Sequence, residues 1–519
     1  MFQLIKANGD FPNLIYLVLC ERAIVESSIA KALDVPGRDY LEKIVQVAFD
    51  VPMIDVARVH RVLFRRLDLL LSDKPVSARF SQKRWANVFF SGLRPYFATL
   101  RDVNRFISTL AFHFSSLSTD GALEVNPIDL IVLEVIRLYE PDIYRALQSS
   151  KDLLTSGRRP EKPLNEAAEK AVVAIIEMGS EDNRGELREL IKHLFPTIEW
   201  TLGGPQYTHE FGEEWYRDLR VCSKKVFDRY FRLTVSEEEL SQAAVRRLLR
   251  ARGDREDLRS ELERLHAKGL LNLAIEELAV YQDEVEPHQI EAFITAIFDV
   301  ADLLSDEERG MFEVPVHWRI GFLVNNAVGK LSDDGARSRV LTNAITSTNG
   351  LFMAVEFLAL VGAPSEGDTD EPILPETEFV ALRGAAVRRI ESAAASGALA
   401  QHPKLALLLS LWRKWGKEEN VLSYIETLTQ TAAGTLQLLR SLLMRSLHHE
   451  LGDFVETERC YMRRKHIETL ISMDTLDARV RQVPPDGLSP EDERAVKAFQ
   501  KAMERRRAGK PDDDPFAMD

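Results

Sequence analysis

Apolar residues recur every three or four positions along most of the chain, which is the spacing of an amphipathic helix. This pattern predicts helices over residues 23–33, 54–71 and 100–117. In the third helix one seam is expected to be buried, and its members are Leu100, Val103, Ile107, Leu110, Phe114 and Leu117. We therefore predict a mainly α fold.

Two helices carry clear start signals. Thr99 and Asp102 stand where a capping box places its two side chains, just before the apolar seam. Asn126 precedes Pro127 and Asp129, the order of an N-cap followed by proline at the first helical position. This second helix is expected to bury one face, formed by Ile128, Ile131, Val132 and Val135.

One segment departs from the helical pattern. NLIYLVLCER, residues 13–22, contains seven consecutive apolar residues between a Phe-Pro-Asn turn and a charged pair. Such a run is typical of a strand buried on both faces of a parallel sheet. Little else in the chain predicts its neighbours. We therefore expect the remnant of an α/β core at the N-terminus, with one buried strand and few neighbours.

The second half of the chain has helix following helix. Residues 236–480 have the texture of an α-solenoid or a large bundle, without a repeat of fixed length. The polar stretch 149–163 and the acidic, Pro- and Gly-rich stretch 361–376 are the predicted linkers. A charged helix and a disordered tail are expected near the C-terminus.

Composition and charge mainly exclude classes of function. The net charge of −14 argues against broad nucleic-acid binding, so nucleic acid is not an expected partner. Three widely separated cysteines give no disulfide framework and fit a reducing compartment. No stretch reaches the roughly 18–20 apolar residues of a transmembrane helix, so we expect a cytoplasmic protein without a membrane partner.

The sequence contains no complete catalytic constellation. Its nearest approach to a phosphate-binding loop is VNNAVGKLS, residues 324–332, where Val324 replaces the leading glycine and Leu331 replaces Ser or Thr. The histidines and cysteines match no zinc-ligand spacing. We therefore predict no catalytic residue and no metal site in this chain.

Four blocks in the first 150 residues resemble the C-terminal part of the KAP family of P-loop NTPases. They are IKANGDFPNLIYLVLCERAIVESSIAKAL, GRDYLEKIVQVAFDVP, YFATLRDVNRFISTL and EVNPIDLIVLEVIRLYEPDIYRAL. In that family a Walker A loop and a Walker B strand precede the first block. The resemblance therefore implies a chain that begins inside the NTPase core. Three explanations stay open: an internal start methionine, which is preferred, a natural truncation, or strands supplied by another chain.

The resemblance also implies candidate nucleotide-sensing residues. It makes the helix with Arg101 and Arg105 the lid, in which an arginine can approach the γ-phosphate of ATP. Glu21 takes the acidic position after the strand, and Arg22 and Lys43 are further candidates. The two lid arginines are four residues apart and so share one helix face. The residues by themselves also allow a solvated surface, with Lys43 in an ion pair with its neighbour.

On this basis the chain divides into five parts. They are the end of the P-loop NTPase core at 1–52, the helical lid at 53–150, a helical extension at 164–360, a C-terminal helical region at 377–480, and a charged helix with a disordered tail at 484–519.

The leading hypothesis is the C-terminal portion of a KAP-type NTPase, an ATP-driven switch in phage defence or signalling. The isolated chain is not expected to be competent as an ATPase, and whether it is an enzyme stays open. ATP and magnesium are expected only in a full-length parent, and no cofactor is expected for this chain alone. The expected partner is another protein or the missing N-terminal NTPase segment, with a homo-oligomer as a further option. The alternative is a non-enzymatic helical scaffold for protein–protein interaction.

Overall fold

The computed structural model describes residues 4, 13, 15–72, 79–156, 164–205, 207, 210–304, 315–361, 373–448 and 457–512. Helices dominate this part of the chain, and its strands form two short antiparallel hairpins. The mainly α class is therefore confirmed. None of the helices described is long and apolar enough to cross a bilayer.

The chain separates into two compact units. The smaller unit comprises Met1–Asp68 and Pro95–Ile107, and the larger comprises Leu69–Arg94 and Ser108–Asp519. The helices up to residue 155 are α1 (Arg22–Leu33), α2 (Gly37–Glu42), α3 (Val56–Ser72), α4 (Gln82–Val88), α5 (Leu100–Ser116), α6 (Pro127–Tyr139), α7 (Pro141–Gln148) and α8 (Lys151–Thr155). A π-helix, Phe89–Leu93, continues α4, and the hairpin of β1 (Ser118–Thr119) and β2 (Ala122–Leu123) joins α5 to α6.

The predicted start signals of α5 and α6 are both present. The Thr99 N–H donates to the Asp102 carboxylate at 2.9 Å, and the Asp102 N–H donates to the Thr99 hydroxyl at 3.3 Å. The Asn126 side chain accepts from the N–H groups of Ile128 at 3.0 Å and Asp129 at 3.3 Å. These bonds satisfy N–H groups that the first turn of a helix leaves unpaired.

Burial along α5 and α6 differs in detail from the prediction. In α5, Phe106 is fully buried, whereas the predicted seam residue Ile107 is only half-buried. In α6, every residue from Pro127 to Ile136 is buried, so a single core face was too narrow a prediction. The neighbours of α6 come from distant parts of the chain, which periodicity does not report.

The predicted buried strand at NLIYLVLCER is not formed. Residues 15–21 belong to no helix or strand, and Ile15, Leu17 and Leu19 are 93%, 85% and 81% exposed. A strand is stabilised by hydrogen bonds to a neighbouring strand. Within the described residues, the four strands pair only as the two hairpins. The prediction of burial was therefore wrong, because no pairing strand lies beside this segment there.

Four helices follow between residues 164 and 232. They are α9 (Leu164–Glu177), α10 (Arg184–Leu194), α11 (Glu210–Arg217) and α12 (Phe227–Arg232). The predicted linker 149–163 is partly helical, since α8 lies within it and buries Leu154. Its residues 157–163, like most of the second linker, lie outside the described residues.

A two-layer array of helices occupies residues 242–442. Its members are α13 (Gln242–Ala251), α14 (Arg255–His266), α15 (Leu271–Val280), α16 (Ile290–Ala301), α17 (Val316–Gly329), α18 (Asp334–Ser347), α19 (Phe352–Val361), α20 (Glu376–Ser396), α21 (Leu405–Trp415), α22 (Glu418–Thr429) and α23 (Ala432–Leu442). Helices α14, α16, α18 and α20 pack in succession as one layer, and α13, α15, α17, α19, α21 and α23 as the other. Packing of each helix on the next but one is the arrangement of an α-solenoid. The sequence left open an α-solenoid or a large bundle, and this packing favours the solenoid.

Partly buried aspartates connect successive turns of the array. Asp299, at the end of α16, accepts two hydrogen bonds from Arg255 at 2.8 and 2.9 Å. Asp302 accepts from the N–H of Phe352 at 3.0 Å and so caps the start of α19. At Gly350 an added Cβ would lie 2.0 Å from the Phe298 carbonyl oxygen, so only glycine allows this close approach.

The C-terminal region is not continuously helical. The prediction of helix following helix over residues 236–480 was wrong at the hairpin of β3 (Met444–His448) and β4 (Thr457–Tyr461), in which Met444 pairs with Tyr461. Strand β4 packs on α26 (Pro490–Arg507) and Tyr461 is buried, so tertiary packing stabilises this hairpin. Helices α24 (Arg464–Glu468) and α25 (Met473–Val480) lie between β4 and α26 in the sequence. Helix α26 is the predicted charged helix, and the predicted disordered tail falls largely on residues 513–519, outside those described.

A buried carboxyl group lies where α11 meets the array. Glu277 of α15 is 6% exposed and accepts a hydrogen bond from the Tyr216 hydroxyl of α11. Burial raises the pKa of Glu277 to about 7. The contact between α11 and α15 is therefore expected to respond to pH near neutrality.

Replacing Glu277 tests this response. Because the folded protein holds this proton to higher pH than the unfolded chain, wild-type stability should fall as pH rises from 4.5 to about 7. The loss should reach about 3 kcal/mol at most. Urea unfolding at pH values on either side of that range measures this loss of stability. The Glu277→Gln variant should not show it. Glu181→Gln, an exposed control, should keep the wild-type profile, and an unchanged Glu277→Gln profile would contradict the assignment.

Candidate functional site

Helix α5 presents two arginines on the face opposite its buried seam. Arg101 and Arg105 are exposed, whereas Val103, which lies between them, and Phe106, which follows them, are fully buried. The Phe106 ring packs edge-on against Phe97 at a centroid distance of 5.0 Å. This packing fixes the rotation of α5, so both guanidinium groups are accessible to a ligand in solution.

A third arginine lies beside this pair. Arg66 of α3 donates a hydrogen bond to the side-chain oxygen of Asn104, which stands between Arg101 and Arg105 in α5. Arginine binds phosphate oxygens through two parallel N–H groups, so guanidinium groups of this kind can hold an anion. The sequence did not indicate that Arg66 lies near Arg101 and Arg105, because only tertiary packing places α3 beside Asn104.

The other three sequence candidates lie at the ends of α1 and α2. Glu21 is the residue before α1, and its side chain makes no capping hydrogen bond. Arg22 pairs with Glu26, Nε to Oε1, at 2.7 Å, and this carboxylate raises the pKa of Arg22. Lys43 is exposed at the end of α2, whose Glu42 pairs with Arg38. Arg22 and Lys43 therefore lie on a solvated, partly ion-paired surface.

A close approach sets the spacing of α1 and α2. At Gly37, the first residue of α2, an added Cβ would lie 1.9 Å from the Glu26 carbonyl oxygen. Any larger residue would push the two helices apart. Glycine at this position therefore keeps the helices that carry Arg22 and Lys43 in contact.

The larger unit contains a buried charge cluster around Asp129 of α6. Asp129 has 0% exposure. One of its carboxylate oxygens accepts a hydrogen bond from Arg84, and the other accepts one from Arg220 Nε at 2.8 Å. The Val221 N–H also donates to it at 2.9 Å. Both arginines further donate to the His193 carbonyl oxygen, Arg84 at 3.2 Å and Arg220 at 2.6 Å. One carboxylate thus joins α4, α6, the end of α10 and residues 220–221.

The electrostatics of this cluster favour the charged carboxylate. Burial is the largest influence on the pKa of Asp129 and would raise it, but Arg220 and Arg84 together hold it below its ordinary value. Burial and the nearby Arg84 lower the pKa of His193, which favours a neutral imidazole. The His193 Nε2 lies 3.1 Å from the Ser91 hydroxyl on the π-helix.

A second buried carboxylate lies five residues further along α6. Glu134 accepts hydrogen bonds from Arg137 at 2.6 and 2.9 Å and lies 2.7 Å from His113 Nδ1. Burial would raise the pKa of Glu134, but His113 and Arg137 lower it overall. The buried acids of α6 are thus paired with nearby basic groups, as buried charges must be.

These two clusters have the chemistry of structural anchors. Both oxygens of Asp129 and both of Glu134 already accept hydrogen bonds from protein groups, which leaves little capacity for a substrate. The sequence reasoning assigned Asp129 only to the first turn of a helix. One signal in the sequence could have identified them as buried. Apolar residues surround Asp129 and Glu134 on every side of the helix, so neither acid lies on a polar face.

Metal-binding groups do not converge in the part of the chain that the structure describes. No three His, Cys, Asp or Glu side chains there are placed to hold an ion. The exposed arginines of α3 and α5 are therefore the group in the smaller unit whose chemistry best fits a ligand, and that ligand is an anion.

Residues 1–117 match the model of the KAP family P-loop domain. The match includes all five candidate sensing residues and Arg66, and it ends just after α5. The resemblance stated from the sequence is thereby confirmed for these residues, which form part of an NTPase-type domain. Neither the curated proteins nor the solved structures give a match to the chain.

Asp129→Asn should destabilise the fold strongly. The change leaves Arg84 and Arg220 partly buried without their counter-charge, which costs about 3–5 kcal/mol when a buried pair is broken. The exposed pair of Asp142 and Arg145 gives the matched control, because Asp142→Asn should cost less than about 1 kcal/mol.

Urea unfolding followed by circular dichroism measures both variants. Since folding lowers the pKa of Asp129, its stabilisation is present above the unfolded value of 3.8 and is lost as pH falls through the folded value. Equal stabilities for Asp129→Asn and Asp142→Asn at neutral pH would show that the cluster is not an anchor.

Proposed function

We propose that the chain is the helical lid and extension of a KAP-type P-loop NTPase, which passes the state of bound ATP to a protein partner. One observation carries the proposal: the segment that matches the KAP P-loop domain, residues 1–117, presents Arg101 and Arg105 to solvent. An arginine at such a position can contact the γ-phosphate and distinguish ATP from ADP.

Exposed apolar segments support a missing neighbour in the smaller unit. Ile15, Leu17 and Leu19 are strongly exposed, and so are Phe49 and Met53, at 85% and 97%. Large apolar side chains exposed in this way are typical of surfaces that another protein element covers. We assign that role to strands of the ATP-binding core, supplied by another segment or by a protein partner, because residues 14–20 are apolar at every position.

The chain alone should not bind ATP tightly. It contains no sequence of the form Gly-x-x-x-x-Gly-Lys-Ser/Thr, whose backbone N–H groups and lysine would hold the phosphates. Isothermal titration calorimetry of residues 1–519 with ATP and magnesium should show no saturable heat at micromolar nucleotide. Tight, magnesium-dependent binding would overturn the assignment of the nucleotide site to the covering core.

Arg101→Ala should abolish most ATP turnover in the NTPase assembled with its ATP-binding core. An arginine that stabilises the transferring phosphate contributes about 10³-fold or more to kcat. A drop of about 100-fold or more is therefore expected, with Arg101→Lys also impaired because lysine cannot bind phosphate bidentately. Arg145→Ala, an exposed control in the larger unit, should leave turnover and melting temperature unchanged.

A non-enzymatic scaffold is the second candidate, and the two-layer array favours it. Helical arrays of this type present long surfaces for binding other proteins. Unchanged ATP turnover in Arg101→Ala, with intact folding, would favour this candidate over the lid. The biological role of the protein, in phage defence or in signalling, is the most specific part of the proposal and rests on family analogy.

A further inference from the structure

Helix α3 carries three arginines along its exposed face. Arg58, Arg61 and Arg65, which we call the arginine stripe, are three and four residues apart and so lie on one side of the helix. The opposite side buries Val59, Leu63 and Leu67. Burial of that apolar side holds the stripe outward, towards solvent.

The arginine stripe has no acidic partners in the described part of the chain. None of its three side chains forms an ion pair or hydrogen bond with a described residue. Other exposed arginines do form such pairs; these are Arg145 with Asp142 at 2.7 Å, Arg232 with Asp228 at 3.4 Å, and Arg481 with Asp477 at 2.7 Å. In a chain with net charge −14 carboxylates are abundant, so three neighbouring uncompensated arginines are unusual.

Helix α3 itself carries a net positive charge. Two carboxylates, Asp55 and Asp68, lie towards the two ends of α3, and Arg66 adds a fourth positive charge next to Arg65. Like charges three or four residues apart on a helix repel one another and destabilise it slightly. An anionic ligand with several charges would remove that repulsion.

We propose that the arginine stripe binds the phosphate backbone of a nucleic acid, without reading its bases. With a rise of 1.5 Å per residue, the stripe is about 10 Å long. That length corresponds to about three nucleotides at 3.4 Å per step along one DNA strand. Arginine suits this role because its planar guanidinium group matches phosphate oxygens bidentately. The interaction is local and so is compatible with the acidic charge of the whole chain.

Nucleic acid fits the stripe better than other anions do. A helix that lies in an anionic bilayer inserts its apolar side, but that side of α3 is already buried in the protein. A single nucleotide is normally held in a concave pocket, whereas the stripe follows the convex surface of one helix. The inference is independent of the proposed lid function, because Arg101 takes no part in it.

Fluorescence anisotropy with a labelled DNA duplex tests the proposal. Wild-type protein should bind, and the logarithm of its affinity should fall with the logarithm of salt concentration with a slope of about −2 to −3. The triple variant Arg58→Gln, Arg61→Gln, Arg65→Gln should bind about tenfold more weakly or worse, with most of that slope lost. Arg61→Gln alone should reduce the slope by about one and gives a milder variant if the triple one does not fold.

The triple variant Arg145→Gln, Arg232→Gln, Arg481→Gln is the matched control. It changes the net charge by the same amount but removes arginines that already have acidic partners, so its DNA affinity should stay within about twofold of wild type. Absence of wild-type binding at low salt, or equal losses in the two triple variants, would overturn the proposal. Binding to anionic vesicles or to a second copy of the chain, without binding to DNA, would overturn it as well.

Discussion

Asp129 is a fully buried carboxylate held between Arg84 and Arg220, and much of the first half of the larger unit depends on this pairing. Helix α6 is buried over ten consecutive residues, so both of its acids must be neutralised inside the protein. A buried charge without a partner costs several kcal/mol, whereas a paired and hydrogen-bonded one is tolerated. The pairing also determines which segments can surround α6, because α4 and residues 220–221 supply the donors, and the His193 carbonyl at the end of α10 accepts from both arginines.

The helical array beyond α12 depends on a different kind of constraint. Most helices there pack on the next helix in sequence, on the next but one, or on both, so the core is continuous along residues 242–442. Caps such as Asp302 at the start of α19 fix how one turn of the array follows the last. An arrangement of this kind grows by repetition and leaves long outer surfaces, which suits the transmission of a state to a protein partner.

Exposed arginines fall into two groups. Arg22, Arg145 and Arg481 pair with carboxylates three or four residues away, whereas Arg58, Arg61, Arg65 and Arg101 form no such pairs with described residues. The smaller unit also exposes Ile15, Leu17 and Leu19. Apolar segments without strand partners and arginines without acidic partners are both features that a bound partner or ligand would complete.

The sequence by itself determined the helices and their starts. Helical periodicity and capping residues act over one or two turns, so α5 and α6 could be predicted from residues such as Thr99 and Asn126. The face of α5 that carries Arg101 and Arg105 followed from the same spacing. The resemblance that indicated an NTPase-type domain also rests on local blocks of residues, and it extends to residue 117.

Only the tertiary structure decided which residues meet across the chain. The contacts of Arg84, Asp129 and Arg220, and of Arg66 with Asn104, join positions 38 to 91 residues apart, which no local pattern specifies. For the same reason the β3–β4 hairpin was missed and the burial of residues 15–20 was wrongly predicted. An apolar run shows that a segment can be buried, but burial requires a neighbour, and neighbours are set by how the whole chain packs.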